Sequence, residues 1–210
     1  MIMENYIFDM DGTLLDSMPY WKRLAREYLI SRNVKIPEGF DEITYTMDLD
    51  ECSAYFINEL HVDTTPEEMK TEVIEMINQH YADDIPAKQG TLDFLHQKSS
   101  EGCRMCIFTT SERQCVESAM KRLGVYDCFE KIFTVYDIGI NKRHKESYEK
   151  ICELMGFEPK ETWVYEDVIH GVQSAKAAGC KVAAVYDEDS AHLWEEIRKL
   201  SDKEIVDRFW

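Results

Sequence analysis

The chain has 210 residues, 44% of them hydrophobic, and a formal net charge of −17 at pH 7. That length can bury a substantial core, as one domain or as a domain carrying an insertion. So negative a charge disfavours nucleic acid and anionic membrane as partners, and no apolar run of ~18 residues is present to span a bilayer. Seven cysteines, an odd number at scattered spacings, fit reduced thiols better than a disulfide framework. With no basic or apolar leader ahead of Tyr6, the expected location is cytoplasmic.

Tyr6-Ile7-Phe8 reads as a strand that runs into Asp9-Met10-Asp11-Gly12. Two residues apart, the aspartates would share a face of a regular strand. The glycine predicts a bend that lets both carboxylates reach one pocket. Trp21, Leu24, Ala25, Tyr28 and Leu29 then recur at helical spacing up to Ser31-Arg32-Asn33. Cys52, Tyr55, Phe56 and Leu60 predict a second helix. Thr65-Pro66-Glu67-Glu68 opens a third, with proline at its first position and acids in its first turn; its apolar stripe is Met69, Val73, Met76, Ile77 and His80. From residue 36 to 84 there are fourteen acidic residues against one base, Lys70, so this segment carries −13 of the −17. Such a break in composition marks residues 17–83 as a helical unit of its own.

From Gly90 onward the texture alternates. Strands are expected at Cys103–Phe108, Lys131–Val135, Thr162–Tyr165 and Lys181–Val185. Between them lie helices ending at Gly124, Gly156 and Gly179. Alternation of this kind implies right-handed crossovers and a parallel sheet. Ligands of such sheets bind at the carboxyl ends of the strands, which directs attention to the residues just past each one. Asp9 and Asp11 follow the first strand. Thr109, Thr110 and Ser111 follow the second, at a helix start suited to phosphate; Thr109 is the better contact, and Ser111 is either a contact or an ordinary cap. The loop Asp137–Lys145 carries Lys142, Arg143, His144 and Lys145, any of which could neutralise a phosphate. Glu166 and Asp167 follow the next strand and could complete a Mg²⁺ site with the first pair. Cys103-Arg104-Met105-Cys106 is a lone Cys-x-x-Cys inside a strand with no second pair nearby, which does not favour zinc or redox chemistry, and His61, His80 and His96 lie too far apart to suggest a ligand set.

Several segments together resemble the haloacid dehalogenase superfamily. Asp9-Met10-Asp11-Gly12-Thr13-Leu14-Leu15-Asp16-Ser17 is similar to its nucleophile motif, and Ile107–Ser111 to its second motif. Val164–Gly179 is similar to its fourth, and Ile85–Leu95, with Gly90, to the segment returning to the core. The third motif departs from the family pattern: both prolines are missing around Asn141-Lys142-Arg143-His144-Lys145. Aligning Tyr148 with the family aromatic makes Lys142 the phosphate lysine, with Lys145 the alternative.

The resemblance implies an α/β fold: a Rossmann-like parallel sheet flanked by helices, with a small all-helical cap inserted after the first strand. Residues 1–16 and 84–210 would form the catalytic core, and 17–83 the cap. It further implies phosphoryl transfer through an aspartyl-phosphate, with Asp9 as nucleophile and Asp11 as general acid/base. Thr109, Thr110 and Lys142 would hold the phosphate. Mg²⁺ would be held by an Asp9 oxygen, the Asp11 backbone carbonyl and Asp167, with Glu166 in or near the layer of residues around those ligands. The expected activity is a Mg²⁺-dependent phosphatase acting on a small phosphorylated metabolite, as a monomer or weak homodimer. A phosphomutase of the β-phosphoglucomutase type is the alternative, although Trp21 stands where such mutases carry a hinge histidine. Phosphonoacetaldehyde hydrolysis would need a Schiff-base lysine in the cap, for which only Lys22, Lys35 and Lys70 are at hand. Phe40–His61 contains no Lys or Arg, which favours a leaving group that is neutral or cationic.

Overall fold

The computed structural model of the chain describes residues 4–44, 47 and 49–209. They divide into two compact units. One runs to Ser17 and resumes at Ile85; the other is Met18–Asp84, where the expected insertion spanned 17–83.

The first unit is built on a six-stranded sheet ordered β3-β2-β1-β4-β5-β6, parallel throughout. The strands are β1 (Asn5–Phe8), β2 (Arg104–Thr109), β3 (Lys131–Thr134), β4 (Thr162–Glu166), β5 (Lys181–Val185) and β6 (Lys203–Ile205). β1 is nearly continuous in apolar residues because both faces of a parallel sheet are covered. Ile7 joins Cys106, Phe108, Tyr148, Ile151, Val164, Val172 and Val182 in the core on one side. Tyr6 and Phe8 point to the other, where Phe8 meets Tyr165 at 4.9 Å and Tyr165 stacks on Phe209 at 5.5 Å. Phe8 pairs in register with Ile107 on one side and Tyr165 on the other. Asp9, Phe108 and Glu166 therefore reach the carboxyl edge together.

Four helices of the second unit precede those of the first in the chain: α1 (Met18–Ser31), α2 (Phe40–Thr44), α3 (Leu49–Asn58) and α4 (Pro66–Asp83). The first unit adds α5 (Thr91–Ser100), α6 (Arg113–Arg122), α7 (Val135–Ile138), α8 (Lys145–Met155), α9 (Ile169–Ala177) and α10 (Trp194–Leu200). Three of these elements differ from the sequence reading. The expected loop after β3 starts as the single turn α7, because Thr134 and Asp137 form a reciprocal capping box. Helix α10 and strand β6 were not anticipated, since seven and three residues are too short to show a period.

Among its described residues the second unit is all helix. Thr65 caps α4 through a box with Glu68, and Pro66 occupies its first turn. Met69, Val73, Ile77 and Tyr81 are its buried stripe. Met76 and His80, expected there, are only half-buried. Tyr28 of α1 stacks on Phe56 of α3 at 6.1 Å. Each such buried apolar side chain contributes about 1.5–3 kcal/mol. The indole Nε1 of Trp21 donates to the Tyr81 hydroxyl at 3.0 Å. The helical reading of residues 45, 46 and 48 lies outside the described residues. No described helix is long and apolar enough to cross a membrane.

Candidate active site

The chain bends directly after Asp9. The Asp9 amide still donates to the Tyr165 carbonyl as a last ladder bond, at 3.0 Å, and the amides of Leu14 and Leu15 then turn back onto the Met10 carbonyl, both at 2.9 Å. Gly12 sits at φ +77°, and a Cβ there would lie 2.4 Å from Asp167 Oδ2. Glycine is required on both counts, by conformation and by the close approach of Asp167. Thr13 Oγ1 in turn donates to Asp167 Oδ1 at 2.9 Å.

Asp9 is buried against Lys142, whose Nζ donates to Asp9 Oδ1 at 2.5 Å and to Glu166 Oε2 at 2.8 Å. Of the basic run after α7, Lys142 is the buried member. Arg143 and His144 are exposed, and Lys145 pairs along its own helix with Glu149 at 2.7 Å. The Lys142 side chain also lies over the Phe108 ring, 5.3 Å from its centroid. Burial works against its charge, but the Asp9 and Glu166 carboxylates outweigh that and hold its pKa above the usual lysine value.

Asp11 is placed differently from Asp9. Ser17 Oγ donates to its Oδ1 at 2.7 Å and Ser111 Oγ to its Oδ2 at 2.5 Å. Ser111 is thus a partner of Asp11 and not the cap of α6, whose N-cap is Glu112 with no side-chain bond. Thr109 is fully buried at the end of β2, where its Oγ1 accepts from the Ser111 amide at 3.0 Å. Thr110, expected beside it as a phosphate contact, is exposed at the bend that follows.

Three buried carboxylates, those of Asp9, Glu166 and Asp167, bring oxygens within 4.8 Å of one another. The Asp11 carboxylate is not in this group; the two serines hold it. The donor set is all hard oxygen, which suits Mg²⁺. Its electrostatics fit a cation as well. Burial pushes Asp9 up to about 7, with the Glu166 and Asp11 carboxylates adding to the rise and Lys142 opposing it. Burial also raises Asp167 well above the carboxylate range, reinforced by Asp9 and Glu166. One lysine does not neutralise this cluster, and a divalent cation would.

Glu166 has its own supports. The buried Tyr148 hydroxyl donates to its Oε2 at 3.1 Å, and a Cβ on Gly171 would come within 2.4 Å of its Cδ. Sequence reasoning did not single out Ser17, Tyr148 or Gly171 for these contacts. The only signal for Gly171 was its place in the small-residue helix start of the fourth motif.

A buried carboxylate flanked by a lysine and a cation-ready acidic pair, with a second carboxylate on hydroxyl donors nearby, can support attack on an electrophile and proton transfer beside it. The family model of haloacid dehalogenase-like hydrolases matches residues 6–185, and the chain belongs to that family. It is 27% identical over 182 residues to validoxylamine A 7'-phosphate phosphatase of Streptomyces hygroscopicus subsp. limoneus, covering 82% of this chain and 81% of that protein. It is 25% identical over 188 residues to the pyrophosphatase PpaX of Bacillus cereus, covering 88% and 84%. In fold it is similar to a Thermotoga maritima protein provisionally assigned as a beta-phosphoglucomutase, with TM-score 0.84 and 21% identity over 97% of this chain and 94% of that one.

Proposed function

We propose that the protein is a Mg²⁺-dependent phosphatase that hydrolyses a small phosphorylated metabolite through an aspartyl-phosphate. The observation that carries this reading is the setting of Asp9. It is a buried carboxylate with the Lys142 ammonium on one oxygen and Asp167 and Glu166 within ligating distance. The names of the relatives, both phosphatases of phosphorylated small molecules or pyrophosphate, support the same chemistry.

In this reading Asp9 attacks phosphorus and the bond to the leaving oxygen breaks. Asp11 gives that oxygen a proton, and the resulting carboxylate later takes a proton from the water that hydrolyses the acyl phosphate. Ser17 and Ser111 hold Asp11 by both oxygens, so its orientation is set before substrate arrives. Thr109 and Lys142 face the transferring oxygens, with Lys142 exchanging its bond to Asp9 for one to the phosphate. Asp9, Asp167 and the Asp11 carbonyl would hold Mg²⁺, which supplies charge neutralisation at the transferring phosphate when bound. Most catalysis of phosphoryl transfer is positioning and neutralisation, and the serines on Asp11 and the Lys142 ammonium beside Asp9 support that reading. The acidic helical unit, lacking Lys and Arg from Phe40 to His61, favours a monophosphate whose leaving group is neutral or cationic.

Release of inorganic phosphate from a panel of sugar phosphates, polyol phosphates and nucleotides tests the assignment. Wild type should release phosphate from at least one class, and Asp9→Asn from none. Interconversion of phosphosugars with little phosphate released, dependent on a bisphosphate primer, would instead identify a mutase.

A further inference from the structure

The Glu166 carboxylate has two possible employments. One of its oxygens belongs to the buried acidic group with Asp9 and Asp167, and its Oε2 accepts from Lys142 at 2.8 Å. Tyr148, on α8, bears on the choice. Its hydroxyl donates to that same Oε2 at 3.1 Å, in a side chain with no exposure. The Val168 amide donates to the other oxygen, Oε1, at 3.4 Å. Phe108 meets the Tyr148 ring edge-on at 5.3 Å, and the same Phe108 ring underlies the Lys142 ammonium. Gly171 leaves the space in which the Glu166 carboxylate lies.

A carboxylate oxygen already accepting from an ammonium and a hydroxyl has little capacity left for a cation. Phenylalanine would fill the same ring volume in this core, so packing alone does not call for a hydroxyl. Burying one is unfavourable unless its hydrogen bond is made. We propose that Tyr148 is a positioning residue whose hydroxyl commits Glu166 to Lys142 and keeps that carboxylate out of the cation's ligand set. Lys142 is thereby aimed at the transferring phosphate, a last step that rests on the phosphatase reading. Without the hydroxyl, Glu166 Oε2 keeps only the Lys142 bond, and the acceptor capacity it regains lets it add a further oxygen ligand beside Asp9 and Asp167. That gain favours Ca²⁺, which takes more oxygens than Mg²⁺ in looser geometry.

Tyr148→Phe tests this with a readout independent of turnover: calorimetric titration of the metal-free protein with Mg²⁺ and with Ca²⁺. The ratio of Ca²⁺ to Mg²⁺ affinity should rise roughly tenfold, and adding Glu166→Gln should cancel the rise. In phosphate release, kcat should fall at least about tenfold with KM little changed, as expected for a misaimed group acting in the transition state. An unchanged affinity ratio overturns the proposal, whatever kcat does. If wild type releases no phosphate from any substrate, the phosphatase reading fails and the calorimetric ratio still decides the role of Tyr148. Should the phenylalanine variant not fold, Gly171→Ala displaces Glu166 without touching the tyrosine and must raise the same ratio.

Discussion

Burying an ammonium group is costly unless opposite charge offsets it, and Lys142 is buried with two carboxylates on its Nζ. Lys145, three residues on, is an exposed partner of Glu149, an arrangement worth little in itself. The two lysines should therefore separate cleanly in kinetics. Lys142→Ala removes charge stabilisation realised mainly as phosphate transfers, so kcat should drop by roughly 10²–10³. Lys145→Ala should stay near wild type. A crippled Lys145→Ala beside an active Lys142→Ala would exchange the roles. At this scale the sequence made the acids and the strand-end threonines visible, because each stands at a fixed offset from an apolar run. Lys142 stood out from its basic neighbours only through the alignment of Tyr148 with the family aromatic, since four polar residues in a loop have no periodicity that reports burial. The bond of Ser111 to Asp11 was hidden for a related reason: a hydroxyl at a helix start has local uses that mask a distant one.

At the scale of elements, the end of α4 is tied to α1 by ionisable groups. His80 contacts Glu27 through Nε2 at 2.8 Å and Asp84 through Nδ1 at 2.9 Å, and the Tyr20 hydroxyl donates to the Asp84 carbonyl at 3.1 Å. Partial burial opposes the imidazolium, but the bonds to Glu27 and Asp84 outweigh it and raise the His80 pKa above 6.5. A raised folded value means the stabilisation is complete below the ordinary imidazole pKa and is lost as pH rises through the folded one. Wild type should therefore exceed His80→Gln in stability by more near about pH 6 than near about pH 9, as read from urea midpoints. A constant difference across that range would remove the imidazolium from the account. The helix start at Thr65 was legible because capping is local. The closing residue of the stripe was not: Tyr81 and not His80 turned inward, and residues one apart differ by only about 100° around the axis.

For the whole molecule the charge of −17 and the buried acidic cluster make a joint prediction about cations. A divalent ion that binds the folded chain through Asp9 and Asp167 stabilises it by mass action, by about 2.7 kcal/mol at a concentration a hundred times its dissociation constant. Thermal unfolding should accordingly move up with millimolar Mg²⁺ and return with a chelator. In Asp167→Asn the same addition should leave the midpoint almost unmoved, which separates site binding from general screening of an acidic surface. A shift of equal size in the variant would place the stabilising cation elsewhere.

The alternation of apolar runs and glycine-ended helices already implied a parallel α/β sheet, and strand ends are where such a sheet presents ligand-binding groups, so Asp9, Asp11, Thr109 and Asp167 could be picked out along the chain. Those features are local or periodic, and a linear sequence records them directly. Tertiary structure alone decided which groups share atoms: Lys142 on Asp9 and Glu166, Ser17 and Ser111 on the two oxygens of Asp11, Tyr148 behind Glu166. Lys142 and Asp9 are 133 residues apart and Ser111 and Asp11 are 100 apart. Their meeting depends on the order and register of strands, a property of the assembled sheet that no single segment encodes.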